Sequence, residues 1–193
     1  MKWKIKQIAV GGFDDNFSYI VESGNSFAVI DPAGDAAKII AAFPPGRVLQ
    51  YYLLTHEHPD HADALPELQK HYTAPVKSGK DFTDNQRLPF GNSYLTVLFT
   101  PGHTPHSVCY LTADNSGLFT GDTLFVDYIG FGQVEKLYYS LQRLRSLPGH
   151  TIIYPGHNYG ATPTSTIYEE SIKNCYFKPQ SLANFKENYQ NLV

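Results

Sequence analysis

Short apolar runs alternate with helix-like repeats along the first third of the chain. Two runs rich in β-branched and aromatic residues, 17–21 and 27–30, flank the turn residues 23–26 and predict a hairpin. Residues 35–43 repeat apolar side chains at helical spacing and predict a helix. Residues 48–54 show almost no polar alternation, which is typical of a strand buried on both faces.

The alternation of strands and helices continues to the end of the chain. Asp63 is placed to cap a helix that runs to about Tyr72. The polar intervals 77–87 and 162–166 predict loops. The remaining predicted elements are strands at 93–100, 107–111, 118–120 and 151–154 and helices at 134–147, 166–174 and 182–192. Interleaved elements with at least seven strands predict an α/β layered domain.

Composition narrows the possible functions. The 193 residues are 42% hydrophobic, enough for a single core, so we expect one domain over 1–193 with 166–193 as a short C-terminal helical tail. The 15 Lys and Arg against 18 Asp and Glu leave a formal charge of −3, which argues against a nucleic-acid or membrane partner. No apolar run is as long as the roughly 18 residues that a membrane-spanning helix needs. Residues 1–6 are charged and show no signal-peptide pattern, so we expect a cytoplasmic protein.

Histidine is the unusual component, with eight histidines against two cysteines. Three of them lie in the segment His56-x-His58-x-Asp60-His61, directly after the strand predicted at 48–54. Residues two apart in an extended chain project to the same side, so His56, His58 and Asp60 are expected to converge. His61 breaks that period and faces a neighbouring point, so one loop could serve two adjacent metal ions. The alternative is an exposed polar loop.

Three further candidates follow predicted strands: His103, Asp122 and His157. A glycine directly precedes each of them, which permits close approach of the backbone at a tight turn. Taken singly, Asp122 could be a helix cap or turn residue, and each histidine could be a hydrogen-bonded loop residue. Together with the first motif, we interpret them as the remaining ligands of a metal site.

Several segments that span most of the chain carry a family resemblance. They are Asp-Asn-Phe-Ser-Tyr at 15–19, Ala-Val-Ile-Asp-Pro at 28–32, Thr-His-Glu-His-Pro-Asp-His at 55–61, Gly-His-Thr-Pro-His-Ser at 102–107, Phe-Thr-Gly-Asp-Thr-Leu-Phe at 119–125 and Tyr-Pro-Gly-His-Asn-Tyr at 154–159. On these motifs the chain resembles the metallo-β-lactamase fold hydrolases, and within them the short single-domain members of the glyoxalase II-like branch. The resemblance implies a four-layer αβ/βα sandwich with the site along the edge where the two sheets meet.

The same resemblance implies a binuclear metal site. The expected ligands are His56, His58 and His103 for one ion and Asp60, His61 and His157 for the other, with Asp122 as the bridge. The expected cofactors are two divalent ions, with zinc as the first choice and iron or manganese as alternatives.

The activity implied by the resemblance is hydrolysis of a small-molecule thioester or related ester by a metal-bound hydroxide. Asp122 is expected to hold the spacing of the ions, and Asp60 to orient the nucleophile or accept its proton. Tyr159 matches a substrate-contact position of the family. Gln133 stands where the family typically has a Lys or Arg that contacts glutathione, so the substrate is expected to differ from an acyl-glutathione.

Two alternatives are open at the level of sequence. The first is a persulfide dioxygenase-like enzyme with one Fe(II) on His56, His103 and Asp122, because two histidines and a carboxylate also suit oxygen chemistry. The second is a non-catalytic metal-binding protein, although structural zinc sites are usually closed and rich in cysteine. The sequence assigns no oligomeric state.

Overall fold

A computed structural model describes residues 3–179 and 181–191 and contains two mixed β-sheets. The strands of the first sheet lie side by side in chain order: β1 (Lys4–Gly11), β2 (Asn16–Ser23), β3 (Ser26–Ile30), β4 (Val48–Leu53) and β5 (Val76–Lys77). Those of the second sheet do the same: β6 (Arg87–Phe90), β7 (Ser93–Phe99), β8 (Val108–Thr112), β9 (Gly117–Gly121), β10 (Ile152–Pro155) and β11 (Ser165–Thr166). The neighbours β3–β4, β4–β5 and β9–β10 are parallel, and the others are antiparallel.

Helices connect the parallel strands and cover the outer faces. α1 (Ala36–Ala41) joins β3 to β4, α2 (Leu65–His71) joins β4 to β5, and α3 (Val134–Arg145) joins β9 to β10. Parallel neighbours require such crossovers, because the chain must return to the same end of the sheet. α4 (Ile167–Lys173) and α5 (Leu182–Gln190) follow β11.

Apolar clusters fill the spaces between four layers. Val29 of β3 and Leu68 of α2 belong to the cluster between the first sheet and its helices. Tyr19 and Phe119 meet between the two sheets, with ring centroids 5.2 Å apart. Leu141 of α3 belongs to the cluster on the outer face of the second sheet. The predicted four-layer αβ/βα sandwich is therefore confirmed.

Most of the predicted elements are present, with two local differences. The hairpin and α1, whose N-cap is Asp35, agree with the prediction. β4 is fully buried only at Tyr52 and Leu53, so the prediction of burial on both faces is wrong for its first four residues. Asp63 does not cap α2, because its carboxylate accepts a hydrogen bond from the Gly34 N–H at 2.6 Å instead.

The two intervals predicted as loops contain further structure. The interval 77–87 holds a 3₁₀ turn at Gly79–Asp81 and reaches the start of β6, while 162–166 ends in β11. The predicted helix end at Leu192 and the tail end at Val193 lie outside the described residues, and the single-domain assignment stays a prediction. Within the described part of the chain, no helix is long and apolar enough to cross a membrane.

Backbone hydrogen bonds join the two sheets at one edge. The Phe17 N–H donates to the Gly156 carbonyl at 2.8 Å, and the Val108 N–H donates to the Thr55 carbonyl at 2.8 Å. The start of β2 therefore meets the loop after β10, and the loop after β4 meets the start of β8.

Candidate metal centre

All seven side chains predicted as metal ligands meet at the edge where the sheets join. They are His56, His58, Asp60, His61, His103, Asp122 and His157. Four come from the loop after β4, and the loops after β7, β9 and β10 supply one each. The fold thus brings together residues as distant in sequence as His61 and His157, which are 96 positions apart.

The seven side chains form two groups whose ligand atoms lie within 4.8 Å of one another: His56, His58, His103 and Asp122, and separately Asp60, His61 and His157. In the first group, His58 Nδ1 lies 3.0 Å from His56 Nε2 and 3.0 Å from His103 Nε2. In the second, His61 Nε2 lies 3.2 Å from His157 Nε2. Ring nitrogens from separate loops converge in this way on each of two neighbouring points.

Asp122 lies between the two groups and contacts both. Its Oδ2 is 3.9 Å from His56 Nε2 and 3.5 Å from His103 Nε2. The same oxygen is 3.4 Å from His157 Nε2, and Oδ1 is 3.2 Å from His61 Nε2. A single buried carboxylate therefore contacts both sets of histidines.

Asp60 does not join His56 and His58, so the convergence expected from the extended pattern is wrong at this residue. Pro59–His61 forms one turn of 3₁₀ helix, and the alternation of side chains ends there. Asp60 Oδ2 instead lies 3.6 Å from His157 Nε2. The loop does supply both ligand groups, as predicted. His56 and His58 belong to one group, and Asp60 and His61 belong to the other.

Two of the histidines are fixed by backbone carbonyls. His103 Nδ1 donates to the Phe131 carbonyl at 2.8 Å, and His157 Nδ1 donates to the Asp14 carbonyl at 2.7 Å. A carbonyl oxygen only accepts, so each ring carries its proton on Nδ1 and turns the Nε2 lone pair toward the cluster. This tautomer leaves Nε2 of both rings free to ligate a metal ion.

Asp31 and Thr55 orient two more histidines from behind the cluster. The Thr55 N–H and hydroxyl both donate to the Asp31 carboxylate, each at 2.7 Å. Thr55 Oγ1 then lies 3.2 Å from His56 Nδ1. Asp31 Oδ2 lies 3.2 Å from His61 Nδ1. The sequence pattern did not predict this role of Asp31, and the available signal is an acidic residue directly after the apolar run of β3.

The electrostatics of the cluster favour a cation. Burial and the neighbouring His61 lower the pKa of His56 to about 2, so its ring is neutral. Burial alone would raise the pKa of Asp122, but contacts with His157 and His61 hold it well below the usual range. Burial also opposes the charged form of His61, yet Asp31 and Asp122 hold its pKa well above the usual value. The negative charges that stabilise a proton on His61 also stabilise a divalent ion at this point. The ion and the proton compete for the ring nitrogen.

Gly156 is required by the close packing of this centre. A Cβ at this position would collide with Asp122 Oδ1 and with the His61 ring. The glycine that precedes His157 therefore lets the loop after β10 approach the cluster, as the sequence pattern predicts.

The donor set fits a pair of divalent ions. Imidazole nitrogens and carboxylate oxygens suit zinc, iron and manganese, and neither Cys109 nor Cys175 belongs to the groups. Asp122 Oδ1 is buried and accepts no hydrogen bond of normal geometry from the described residues. A buried carboxylate oxygen in that state is stabilised when it ligates a cation.

A cleft of about 550 Å³ opens over the cluster. Tyr159, the predicted substrate contact, lines this cleft. Its ring stacks on that of His157 with centroids 5.0 Å apart, and its hydroxyl donates a hydrogen bond to the Asp14 carboxylate.

Gln133, the second predicted substrate contact, is exposed at the start of α3 and is absent from the described residues that line the cleft. Its backbone N–H donates to the Gly102 carbonyl at 2.8 Å, next to His103.

Helix α5 supports the loop that fixes His103. The Gly132 N–H donates to the Tyr189 hydroxyl at 2.7 Å, and the preceding residue, Phe131, accepts the His103 hydrogen bond. Two hydrogen bonds therefore connect α5 to a predicted metal ligand. No sequence motif predicts this link.

We expect Tyr189→Phe to weaken the binding of one metal ion by roughly fivefold, because the loop loses a hydrogen bond worth about 1 kcal/mol. Competition with a chromophoric chelator measures this affinity. Tyr168→Phe, at an exposed tyrosine of α4, is the matched control and should bind metal as the parent does. Unchanged affinity in Tyr189→Phe would contradict the supporting role of α5.

The family match covers the whole metal centre. Residues 11–94 and 90–157 match the model of the metallo-beta-lactamase superfamily, and these ranges include every predicted ligand. The chain belongs to the metallo-beta-lactamase superfamily. Its centre is the metal-binding His and Asp cluster of a superfamily of metal-dependent hydrolases.

Proteins similar to this metallo-beta-lactamase superfamily member include two hydrolases. The chain is 31% identical over 186 residues to the probable polyketide biosynthesis zinc-dependent hydrolase PksB of Bacillus subtilis (strain 168), covering 84% of this chain and 82% of that protein. It is 35% identical over 170 residues to the hydroxyacylglutathione hydrolase of Neisseria gonorrhoeae (strain NCCP11945), covering 81% and 68%. The crystal structure of ETHE1 from Myxococcus xanthus superposes with a TM-score of 0.83 at 27% identity, covering 100% of this chain and 91% of that one.

Proposed function

We propose that this protein hydrolyses small-molecule thioesters or related esters with two divalent ions, zinc as the first choice. The observation that carries the proposal is the pair of ligand groups that share Asp122. A shared carboxylate suits two ions held close together, which is the arrangement of hydrolytic binuclear sites. The similarity to a zinc-dependent hydrolase and to a hydroxyacylglutathione hydrolase supports the same reaction class.

The chain's own residues would hold the ions and guide a proton. When bound, two divalent ions would supply hydroxide near neutral pH and polarise the substrate carbonyl. Asp122 would hold their spacing. Asp60 borders the cleft, and Asn16 Nδ2 fixes its Oδ2 with a hydrogen bond of 3.0 Å. The Asp60 carboxylate is therefore positioned to orient the nucleophile or to accept its proton.

The reaction consumes one water molecule. The oxygen of water adds to the carbonyl carbon, the carbon–sulfur or carbon–oxygen bond breaks, and the leaving group departs with the electron pair. One product is a carboxylic acid, and the other is a thiol or alcohol that takes up the remaining proton. Thioesters suit this cleft best, because a thiolate departs without help from a strong general acid and the titratable groups lining the cleft besides histidine and tyrosine are carboxylates.

Two residues beyond the metal centre are proposed to influence substrate binding. Tyr159 presents a ring that is held in place by His157 and lines the cleft. Gln133 follows the cleft-lining loop 130–131 by two positions and would place an uncharged side chain near the outer end of a long substrate.

Thioester hydrolysis by protein of defined metal content tests the proposed function. The chelated protein should be inactive, and two equivalents of zinc should restore the release of free thiol from an acyl thioester. In parallel, an oxygen electrode follows glutathione persulfide as the substrate. Oxygen uptake without thioester hydrolysis would overturn the proposal and favour the dioxygenase alternative. Absence of both activities, at full metal occupancy, would favour a non-catalytic metal protein.

A further inference from the structure

The cleft over the metal centre has aromatic walls. They are formed by Phe13, Phe125, Tyr128, Phe131 and Tyr159. Phe13 is 94% exposed and Phe131 is 56% exposed, although both are large apolar side chains. Singly exposed apolar residues are ordinary, but several around one concave opening are typical of a binding site for apolar surface.

One wall is rigid before any substrate arrives. The Tyr159 ring is parallel to that of His157, with an interplanar angle of 3°, and meets the edge of Phe125 with centroids 4.9 Å apart. Phe131 also lines the cleft, and its backbone carbonyl is held by a hydrogen bond from His103. An apolar ligand would therefore meet surfaces that are already ordered, which lowers the entropic cost of binding.

The charges that line the cleft are negative. Among the described residues around it there is no Lys or Arg, whereas three carboxylates are present: Asp14, Asp60 and Asp122. Asp60 and Asp122 belong to the metal centre on the floor, and metal ions would balance their charge there. Asp14 lies at the rim, exposed to solvent, where it accepts the Tyr159 hydroxyl. A substrate anion at the rim would find a carboxylate and aromatic rings instead of a cation.

Two residues close to the loop 130–131 in sequence or structure, Gln133 and Lys186, supply no free positive charge. Gln133 is neutral, and its side chain is exposed outside the lining of the cleft. Lys186 of α5 is paired with Glu135 of α3 at 2.6 Å. Carboxylates of a ligand would thus lose water without gaining a charge-assisted hydrogen bond, which is costly.

We propose that the substrate is a thioester whose portion beyond the reacting carbonyl and sulfur is uncharged and largely apolar, and that thioesters with a carboxylate near the sulfur are poor substrates. This inference rests on the proposed hydrolysis and adds the class of substrate. The aromatic walls would attract apolar groups of the substrate. Because no Lys or Arg lines the described cleft, substrates with a carboxylate would bind less tightly.

A matched series of substrates tests this inference. A single acyl group is attached to N-acetylcysteamine, to N-acetylcysteine, and to N-acetylcysteine methyl ester. The second thiol differs from the first by one carboxylate, and the third restores neutrality while adding bulk. We expect kcat/KM for the two neutral thioesters to exceed that for the carboxylate by at least tenfold, and a hexanoyl group to give a lower KM than an acetyl group.

Variants assign the effect to the cleft. Phe131→Ala should raise the KM for the hexanoyl thioester by a larger factor than that for the acetyl thioester. Gln133→Arg should lower the KM for a glutathione thioester, whose carboxylates lie farther from the sulfur, with no gain for the N-acetylcysteamine thioester. Tyr139→Ala, at an exposed aromatic residue of α3 outside the cleft lining, is the control and should change none of these values.

The outcomes separate this inference from the proposed function. Efficient hydrolysis of the N-acetylcysteine thioester, equal to that of the neutral pair, would overturn the substrate class and leave thioester hydrolysis intact. Hydrolysis of none of the three by the zinc-loaded protein would overturn both. Binding of the corresponding S-hexyl thioethers, followed by calorimetry, gives a readout independent of turnover, and the neutral thioether should bind at least tenfold more tightly than the carboxylate.

Discussion

Replacing Asp122 with alanine is expected to abolish thioester hydrolysis and to remove most of the bound metal. Asp122 is the side chain that contacts both ligand groups: Oδ2 lies near His56 on one side and His157 on the other, and Oδ1 lies near His61. Its loss leaves each group with three side chains and removes the negative charge that would separate two cations. We expect kcat/KM to fall by at least about 1,000-fold, equivalent to about 4 kcal/mol of transition-state stabilisation. Elemental analysis after gel filtration gives the metal content.

The comparison with Asp60→Ala makes this expectation specific. Asp60 belongs to one group only, so its variant should retain about one ion per chain and lose less metal than Asp122→Ala. Asp114→Ala, in the turn between β8 and β9, is a control for removal of a carboxylate away from the centre and should keep the parent metal content. Equal metal content in the Asp60 and Asp122 variants would contradict the bridging position.

Asp31→Ala should destabilise the metal-free protein by about 3 kcal/mol, because the buried carboxylate accepts two hydrogen bonds from Thr55 and faces the His61 ring. Its backbone φ of 47° adds a further penalty for alanine. For a chain of this size the midpoint of thermal unfolding should fall by roughly 6–12 °C. Calorimetry in the presence of chelator measures this change without a contribution from bound metal.

Two further variants separate the causes. Asn tolerates a positive φ, so Asp31→Asn removes the charge without the backbone strain and should fall between Asp31→Ala and the parent. Asp35→Ala removes an exposed carboxylate that caps α1, where it accepts the Ala37 N–H at 2.9 Å, and should cost about 1 kcal/mol. A loss in Asp31→Ala no larger than that in Asp35→Ala would contradict the orienting role of Asp31.

The layered fold could be predicted from the sequence because its strands and helices have different hydrophobic patterns. β2 and β3 are short apolar runs that are buried along nearly their whole length, whereas α3 repeats apolar side chains at helical spacing and buries one face. β1 was not predicted, although Lys4–Gly11 alternates exposed and buried positions, because an edge strand has weak hydrophobic patterning. β6 is also an edge strand. It contains Pro89, and because proline is disfavoured in strands, strand propensity does not predict this element.

The identity of the clustered side chains is also accessible from the sequence, whereas their grouping depends on local geometry. Residue types and positions after strands indicate all seven candidates. The alternation rule then assigns Asp60 to the wrong side, because Pro59 initiates a 3₁₀ turn that no periodicity describes. Contacts such as Thr55 with Asp31 and Tyr189 with Gly132 join distant segments, so they follow only from the packed layers.

The metal content of protein purified without added metal tests the central claim most directly. Two groups of ligands joined by Asp122 predict close to two divalent ions per chain, zinc first, by elemental analysis against protein concentration from amino-acid analysis. A chelator should remove both ions, and titration of the metal-free protein should show two binding events. One ion per chain at saturation, whether iron or zinc, would contradict the binuclear hydrolytic centre.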